Sequence, residues 1–221
     1  IKYSIIIKGG TMKKFIKENK LFIKSIIITL LLQAINYFLI GNLVSDYKIL
    51  ETNINFPLIK WFIYIYNSWY PFVILTSYLI YKNNVDLYKK LIFTMLLSFL
   101  LADLTFIIFP TGVIRPEFPT LTITDFVINT TYYLDNPPIN CLPSLHALVC
   151  YLLIYYISKT KYKTISKISI IIYLILIILS TLFTHQHILI DLIFALIYLI
   201  IAMIIIKLLY PKLKETLKFI F

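Results

Sequence analysis

The sequence predicts an all-α protein, a six-transmembrane-helix bundle with both termini cytoplasmic. Three observations predict it. Of 221 residues, 60% are hydrophobic, and the mean hydropathy of +0.88 lies outside the range of a water-soluble globule. The apolar residues are gathered into six runs, most of them near the ~20 residues that cross a hydrocarbon core of roughly 30 Å. The cations between the runs alternate from abundant to sparse, which is how cytoplasmic and outer loops differ.

The elements follow in order. Residues 1–20 read as a basic cytoplasmic segment. Its opening, "IKYSIIIKGGTM", has no initiating Met and resembles a purine-rich ribosome-binding stretch read as protein, so the expected start is Met12 and residues 1–11 are kept out of fold reasoning. The spans are expected at 21–43, 58–81, 90–110, 143–158, 166–184 and 187–208, within one membrane domain over 21–210, followed by a basic tail at 211–221. The fourth is short, and its start is set by Pro143 more than by hydropathy. Neither an internal repeat, nor a soluble second domain, nor a cleaved signal peptide is expected.

Charge orients the bundle. Eighteen of the 21 cations fall before or at the start of the first span, in or at the edges of the connections between the second and third and the fourth and fifth, or at and after the end of the sixth; only Lys48, Lys60 and Arg115 have the other parity. The net charge of +11 therefore reports topology and attraction to anionic headgroups, and nucleic acid is not an expected partner. Cys141 and Cys150 are nine residues apart, roughly 13 Å along a helix, too far for a disulfide, and read as packing residues.

Three polar stretches share the outer parity: "FPTGVIRPEFP", "NCLPSLHAL" and "STLFTHQHILID". They hold every histidine and the only arginine. In a chain that otherwise uses lysine, one arginine implies a need for its planar fork, which meets phosphate or carboxylate oxygens in a bidentate way. Pro143 suits the first turn of a helix, so Ser144 and the free N–H groups beside it form an anion site. His187 and Asp191 are four apart, on one face of span six, where the carboxylate accepts from one ring nitrogen and leaves the other free. An intramembrane carboxylate is a functional candidate by default. Together these groups suit phosphoryl transfer through a histidine, with no metal or other cofactor required.

These residues resemble the type 2 phosphatidic acid phosphatases, whose three motifs are K-x6-R-P, P-S-G-H and S-R-x5-H-x3-D. Arg115-Pro116 matches the end of the first, Pro143-Ser144-Leu145-His146 the second, and Ser180-Thr181 with His187 and Asp191 the third. The resemblance covers about residues 90–195. It implies that His187 is the nucleophile, Asp191 its orienting partner, His146 the general acid, and Arg115 and Ser144 phosphate ligands. Three positions depart from it: Ile108 stands for the first-motif lysine, Leu145 for the glycine and Thr181 for the third-motif arginine. The form is similar to the branch that contains inositol phosphorylceramide synthase, which passes the head group to an alcohol. Fewer cations also leave room for a singly charged phosphodiester.

The expected function is a lipid phosphatase acting on a phospholipid or isoprenyl phosphate at the outer face of the plasma membrane, with a lipid phosphotransferase as the alternative. A metal site of His185, His187, His146 and Asp191 and a small transporter remain as readings of other classes. His185 reads as an interfacial bystander, and Ser180 and Thr181 as groups bonded back to their own helix, with Thr181 a further candidate at the site. Asp103 reads as either a site contact or a buried partner for another helix. Glu117, Asp125 and Asp135 read as solvated loop charges, and the aromatics of "WFIYIYNSWY" as an interfacial belt.

Overall fold

The computed structural model describes residues 9–44, 46–50 and 54–216; the expectations for residues 1–8 and 217–221 lie outside the described residues. In chain order the elements are α1 (Gly9–Glu18), α2 (Lys20–Leu43), β1 (Lys48–Ile49), α3 (Phe62–Asn67), α4 (Trp69–Asn83), α5 (Val85–Ile108), β2 (Thr111–Gly112), α6 (Ile123–Leu134), α7 (Leu145–Ser158), α8 (Thr164–Phe183) and α9 (Leu189–Thr216). The helix therefore runs on through Pro211 into the segment expected as a tail.

Four helices, α2, α5, α8 and Leu189–Lys212 of α9, are long and apolar enough to cross a membrane. Their outer faces carry large exposed apolar side chains, among them Leu31, Ile35, Ile172 and Ile200, a surface that suits lipid. This is an integral membrane protein.

The two other expected spans depart from single long helices. The run at 58–81 begins at Phe62 and breaks at Ser68, giving α3 and α4. Pro71 explains the break, because it has no N–H for the Asn67 carbonyl and its ring crowds that oxygen. Ser68 covers the joint, its Oγ 2.6 Å from the Ile65 carbonyl and 2.9 Å from the Tyr173 hydroxyl. The run at 143–158 starts as a helix only at Leu145 and is 14 residues long, roughly 21 Å at 1.5 Å per residue. It is apolar on every side, and Ala147, Leu148, Val149, Cys150, Leu152 and Leu153 are all fully buried. A helix without a polar face belongs in the middle, and α7 packs against α4, α5, α8 and α9. Cys141 and Cys150 are free and buried.

Hydrogen bonds tie the connections into two groups at opposite ends. At one end Lys161 N donates to Asn83 (3.1 Å), the Tyr162 hydroxyl to the Leu79 carbonyl (3.0 Å) and the Tyr210 hydroxyl to Asp86 (3.0 Å). At the other, Lys48 N donates to the Pro110 carbonyl (3.0 Å), Ile59 N to Phe183 (2.9 Å) and Ser144 N to Asp191 (3.1 Å). The lysine-rich connections share the first end; Lys48, Lys60, Arg115 and the three histidines share the second. Nearer the second end, Asp103 accepts from Asn36 (2.6 Å) and Gln33 (3.4 Å) and so joins α5 to α2.

The connection after α5 is more ordered than an all-helical reading expects. β1 and β2 pair in parallel, Lys48 against Thr111, and Gly112 bridges to Ile139. Only glycine fits at 112, since a Cβ there would lie 2.5 Å from the Tyr47 ring and 2.6 Å from the Pro138 carbonyl.

Helix α6 was not expected. It starts at a capping box in which Thr122 accepts from Asp125 N (3.1 Å) and Asp125 accepts from Thr122 N (2.9 Å). Asp125 is thus buried and not a solvated charge. Lys60 Nζ, 2.7 Å away, together with Thr122 holds its carboxyl down to about 2. A depressed carboxylate stabilises the fold fully above its unfolded value of about 3.9 and loses that contribution as pH falls toward the folded one. Between pH of about 4 and about 2, the thermal midpoint of the wild type in detergent is therefore expected to fall more than that of Asp125→Asn. Equal slopes for the two proteins would discard the coupling.

Candidate active site

The site grows from the way α8 ends. Thr184 closes the helix, and His185 follows at φ +50°, the left-handed turn conformation usually left to glycine. Two amides then return to one acceptor, Gln186 N (2.9 Å) and His187 N (3.1 Å) to the Thr181 carbonyl. The His185 ring is tied away from this turn, with Nε2 2.9 Å from the Phe56 carbonyl.

His187 therefore sits in the turn, two residues before α9, and not on the helix face that i, i+4 spacing suggests. The contact with Asp191 forms by another route, because the carboxylate folds back over the first turn of α9. Its Oδ2 accepts from Ile188 N (3.0 Å) and lies 3.2 Å from His187 Nδ1. Asp191 is 1% exposed, and its charge lies at the positive end of the α9 dipole. With Nδ1 engaged, Nε2 is the ring nitrogen left for chemistry.

His146 lies in the first turn of α7, which Ser144 caps by accepting from Ala147 N (3.3 Å). Because Ser144 N also donates to the Asp191 carbonyl (3.1 Å), the two helix starts that carry the imidazoles are clasped together. The His146 ring stacks on Tyr66 (centroids 4.6 Å apart, 28° between planes) and lies against Trp69 (4.6 Å). Its centroid is 6.0 Å from that of His187. The aromatic run at 61–70 is thus not one belt: Trp61, Tyr64 and Tyr70 are exposed, while Tyr66 and Trp69 are buried.

Between the imidazoles is a cavity of about 60 Å³, lined among others by Tyr37, Tyr66, Asn140, His146, Gln186 and His187. A single water needs about 10–15 Å³ of such space, so a phosphoryl-sized group has room. Asn140 holds its place on the wall at φ +63°, which asparagine tolerates better than other side chains. On the cavity wall His146 Nε2, Gln186 Nε2 and both amide atoms of Asn140 are buried with no hydrogen-bond partner among the described residues, as are Asp191 Oδ1 beside His187 and Nε of Arg115, the guanidinium that holds Gln186. Buried polar groups are normally satisfied, so such a concentration marks the place of a polar ligand. Tyr37, Tyr66, Asp135 and His146 also line a larger apolar groove of about 640 Å³, which continues past Phe38, Tyr70 and Phe126.

Arg115 is engaged differently from the expected open fork. Nη1 donates to the carbonyls of Asp135 (2.8 Å) and Tyr132 (3.3 Å), and Nη2 donates to the Asp135 carboxylate and to Gln186 Oε1. Asp135, which also accepts from the Tyr37 hydroxyl, is therefore an ion-pair partner and not a solvated loop charge; Glu117 is exposed, as expected. Arginine only donates, so Gln186 must turn its oxygen toward Arg115, which leaves its NH2 as the free end.

The sequence model of one family, the PAP2 superfamily, matches residues 49–205, more than two thirds of the chain. The chain belongs to the PAP2 superfamily. Members of the PAP2 superfamily are generally phosphatases or phosphotransferases that act on phosphorylated lipids in membranes. No curated protein and no solved structure matches the chain.

Within this PAP2 chain, the remaining candidates separate by position. Ser180 and Thr181 bond back to the carbonyls of Ile177 (2.6 Å) and Ile178 (2.7 Å), so Thr181 shapes the turn through its carbonyl. Ser144 is fully buried and clasps α7 to α9. Among the described residues no three His, Cys, Asp or Glu side chains gather at metal-binding range, and His185 is turned to Phe56. Gln186 and Asn140 were missed by the sequence reading. A polar residue between two histidines was the available signal for the first.

Proposed function

We propose that the protein is a lipid phosphatase acting through a phosphohistidine on His187. The observation that carries this reading is the pair of imidazoles, 6.0 Å between centroids, across a cavity whose buried donors lack partners. His187 Nε2 attacks phosphorus as the bond to the lipid oxygen breaks, and His146 gives that oxygen a proton. Water, deprotonated by His146, then attacks phosphorus and the P–N bond breaks, which restores His187. Asp191 accepts from Nδ1–H throughout and keeps the Nε2 lone pair toward the substrate. Gln186 and Asn140 amides and the positive ends of α7 and α9 stabilise the equatorial oxygens. Arg115 acts as a positioning residue that fixes Gln186, and Ser144 as one that fixes the two helix starts.

In this reading the chain crosses the membrane six times, with α3 and α4 as one bent crossing and α7 as the central one. The lysine-rich end faces the cytoplasm, which puts the histidines on the outer side of the plasma membrane. The lipid chain lies in the groove beside His146. In-line attack brings the acceptor from the side on which the leaving group departs, so the same groove serves both.

A second reading, transfer of a phospho-head group to a lipid alcohol, is favoured by one observation. The site's arginine is neutralised by Asp135, and Gln186 and Asn140 bring neutral amides to the cavity. Such a site suits a singly charged phosphodiester better than a doubly charged monoester.

The test incubates purified protein with phosphatidic acid, phosphatidylglycerophosphate, an isoprenyl pyrophosphate or a singly charged phosphodiester lipid such as phosphatidylglycerol, with and without diacylglycerol or ceramide. Phosphate release without an acceptor supports the phosphatase, and a new phospholipid only with an acceptor supports the transferase. Inertness toward all of them, in protein that elutes as a folded species, refutes both. Arg115→Lys is expected to lower kcat/KM by roughly 10- to 100-fold, because an ammonium keeps the charge but cannot hold Asp135 and Gln186 at once. An unchanged kcat/KM would remove Arg115 from the site.

A further inference from the structure

A second cleft, of about 680 Å³, opens at the lysine-rich end, between α5, α7 and α9. Its lining is largely apolar and includes Met203. Its rim carries Lys90 of α5, Lys159 at the C-cap of α7 and Lys207 of α9, with no acidic side chain lining it among the described residues. Aromatic rings and one neighbouring carboxylate hold the rim in shape. Lys90 pairs with Asp86 (3.1 Å) and stands 5.3 Å from the Tyr210 ring centre, and Lys159 stands 5.2 Å from that of Tyr155. Lys159 and Lys207 are exposed.

The preference of lysine for one membrane face accounts for its abundance at this end. It gives no reason for lysines from three separate helices to ring one apolar cleft. That combination matches a ligand with a phosphate at one end and a hydrocarbon chain at the other, held where ammonium groups meet the headgroup layer. We propose that this cleft is a binding site for an anionic phospholipid of the adjacent leaflet, its phosphate among Lys90, Lys159 and Lys207 and an acyl chain against Met203. The site is separate from the histidines and does not depend on the chemistry assigned to them.

The test uses the full chain in neutral detergent, freed of lipid and titrated with dioleoyl phosphatidylglycerol or dioleoyl phosphatidylcholine, with retained lipid read by native mass spectrometry. The wild type is expected to retain the anionic lipid at least about tenfold more tightly. The Lys159→Gln/Lys207→Gln double variant is expected to lose about 30-fold of that affinity, roughly fivefold per lysine. A Lys161→Gln/Lys163→Gln control, which removes the same charge from the α7–α8 connection outside the cleft, is expected to lose less than about twofold. Equal retention of the two lipids by the wild type, equal losses in the two double variants, or displacement of the bound lipid by inorganic phosphate would each overturn the proposal.

Discussion

His187→Ala is expected to abolish turnover, by at least about 10⁴-fold, while the protein still inserts and elutes as the wild type does. Removing a nucleophile leaves only what binding and the oxyanion donors supply. The same variant should lose a labelled intermediate: brief incubation with ³²P-labelled substrate and an acid-free quench should leave alkali-stable, acid-labile phosphate on the wild-type chain and none on the variant. Asp191→Asn refines the point. One oxygen, Oδ2, meets both Ile188 N and Nδ1, so an amide that keeps its oxygen there still accepts from the ring but no longer supplies the negative charge that raises the basicity of Nε2 and stabilises the charged phosphohistidine. A loss of roughly 10²- to 10⁴-fold is expected. Near-normal activity or persistent labelling in His187→Ala would end the phosphohistidine mechanism. An unchanged rate in Asp191→Asn would end the orienting role.

His146 should show its role through the leaving group. His146→Ala is expected to cut turnover of a lipid phosphate by about 10²- to 10⁴-fold, the usual share of a general acid. An aryl phosphate such as p-nitrophenyl phosphate needs no protonation to depart, so on that substrate the first step should be nearly spared. Because the ring is packed between Tyr66 and Trp69, alanine also leaves a void; His146→Gln keeps most of the volume and separates lost chemistry from lost packing. The burst of p-nitrophenol reads that first step, and a burst slowed in both variants as much as lipid turnover would make His146 a packing residue.

Which parts of the protein were legible in advance follows from the range of the interactions involved. The runs at 21–43, 90–110, 166–184 and 187–208 correspond to the four helices that reach membrane length. Apolar length predicts one span over 58–81, whereas the helix breaks at Ser68 into α3 and α4. Helix α6 has a start in Thr122 and Asp125 that is a short capping signal, and its 12 residues are too few to register as a span. The contact of His187 with Asp191 was legible since four residues of spacing nearly suffice, although a turn delivers it in place of a helix face. Arg115 was recognised as unusual, but its partners were not, since Asp135 is 20 residues away and Gln186 is 71.

Sequence alone determined that this chain lives in lipid, where its long helices run, and that its histidines and one arginine lie on stretches of the parity that most of the lysines avoid. Those properties are set by the thickness of a bilayer and by charge along one dimension, and a linear string records both. Tertiary structure alone decided that Asp135 and Gln186 occupy the arginine, that Tyr66 and Trp69 hold His146, and that Asn140 and Gln186 bring amides to the cavity. Each of these depends on how helices far apart in the chain cross and on which buried polar atoms then find partners, and local spacing carries no record of that.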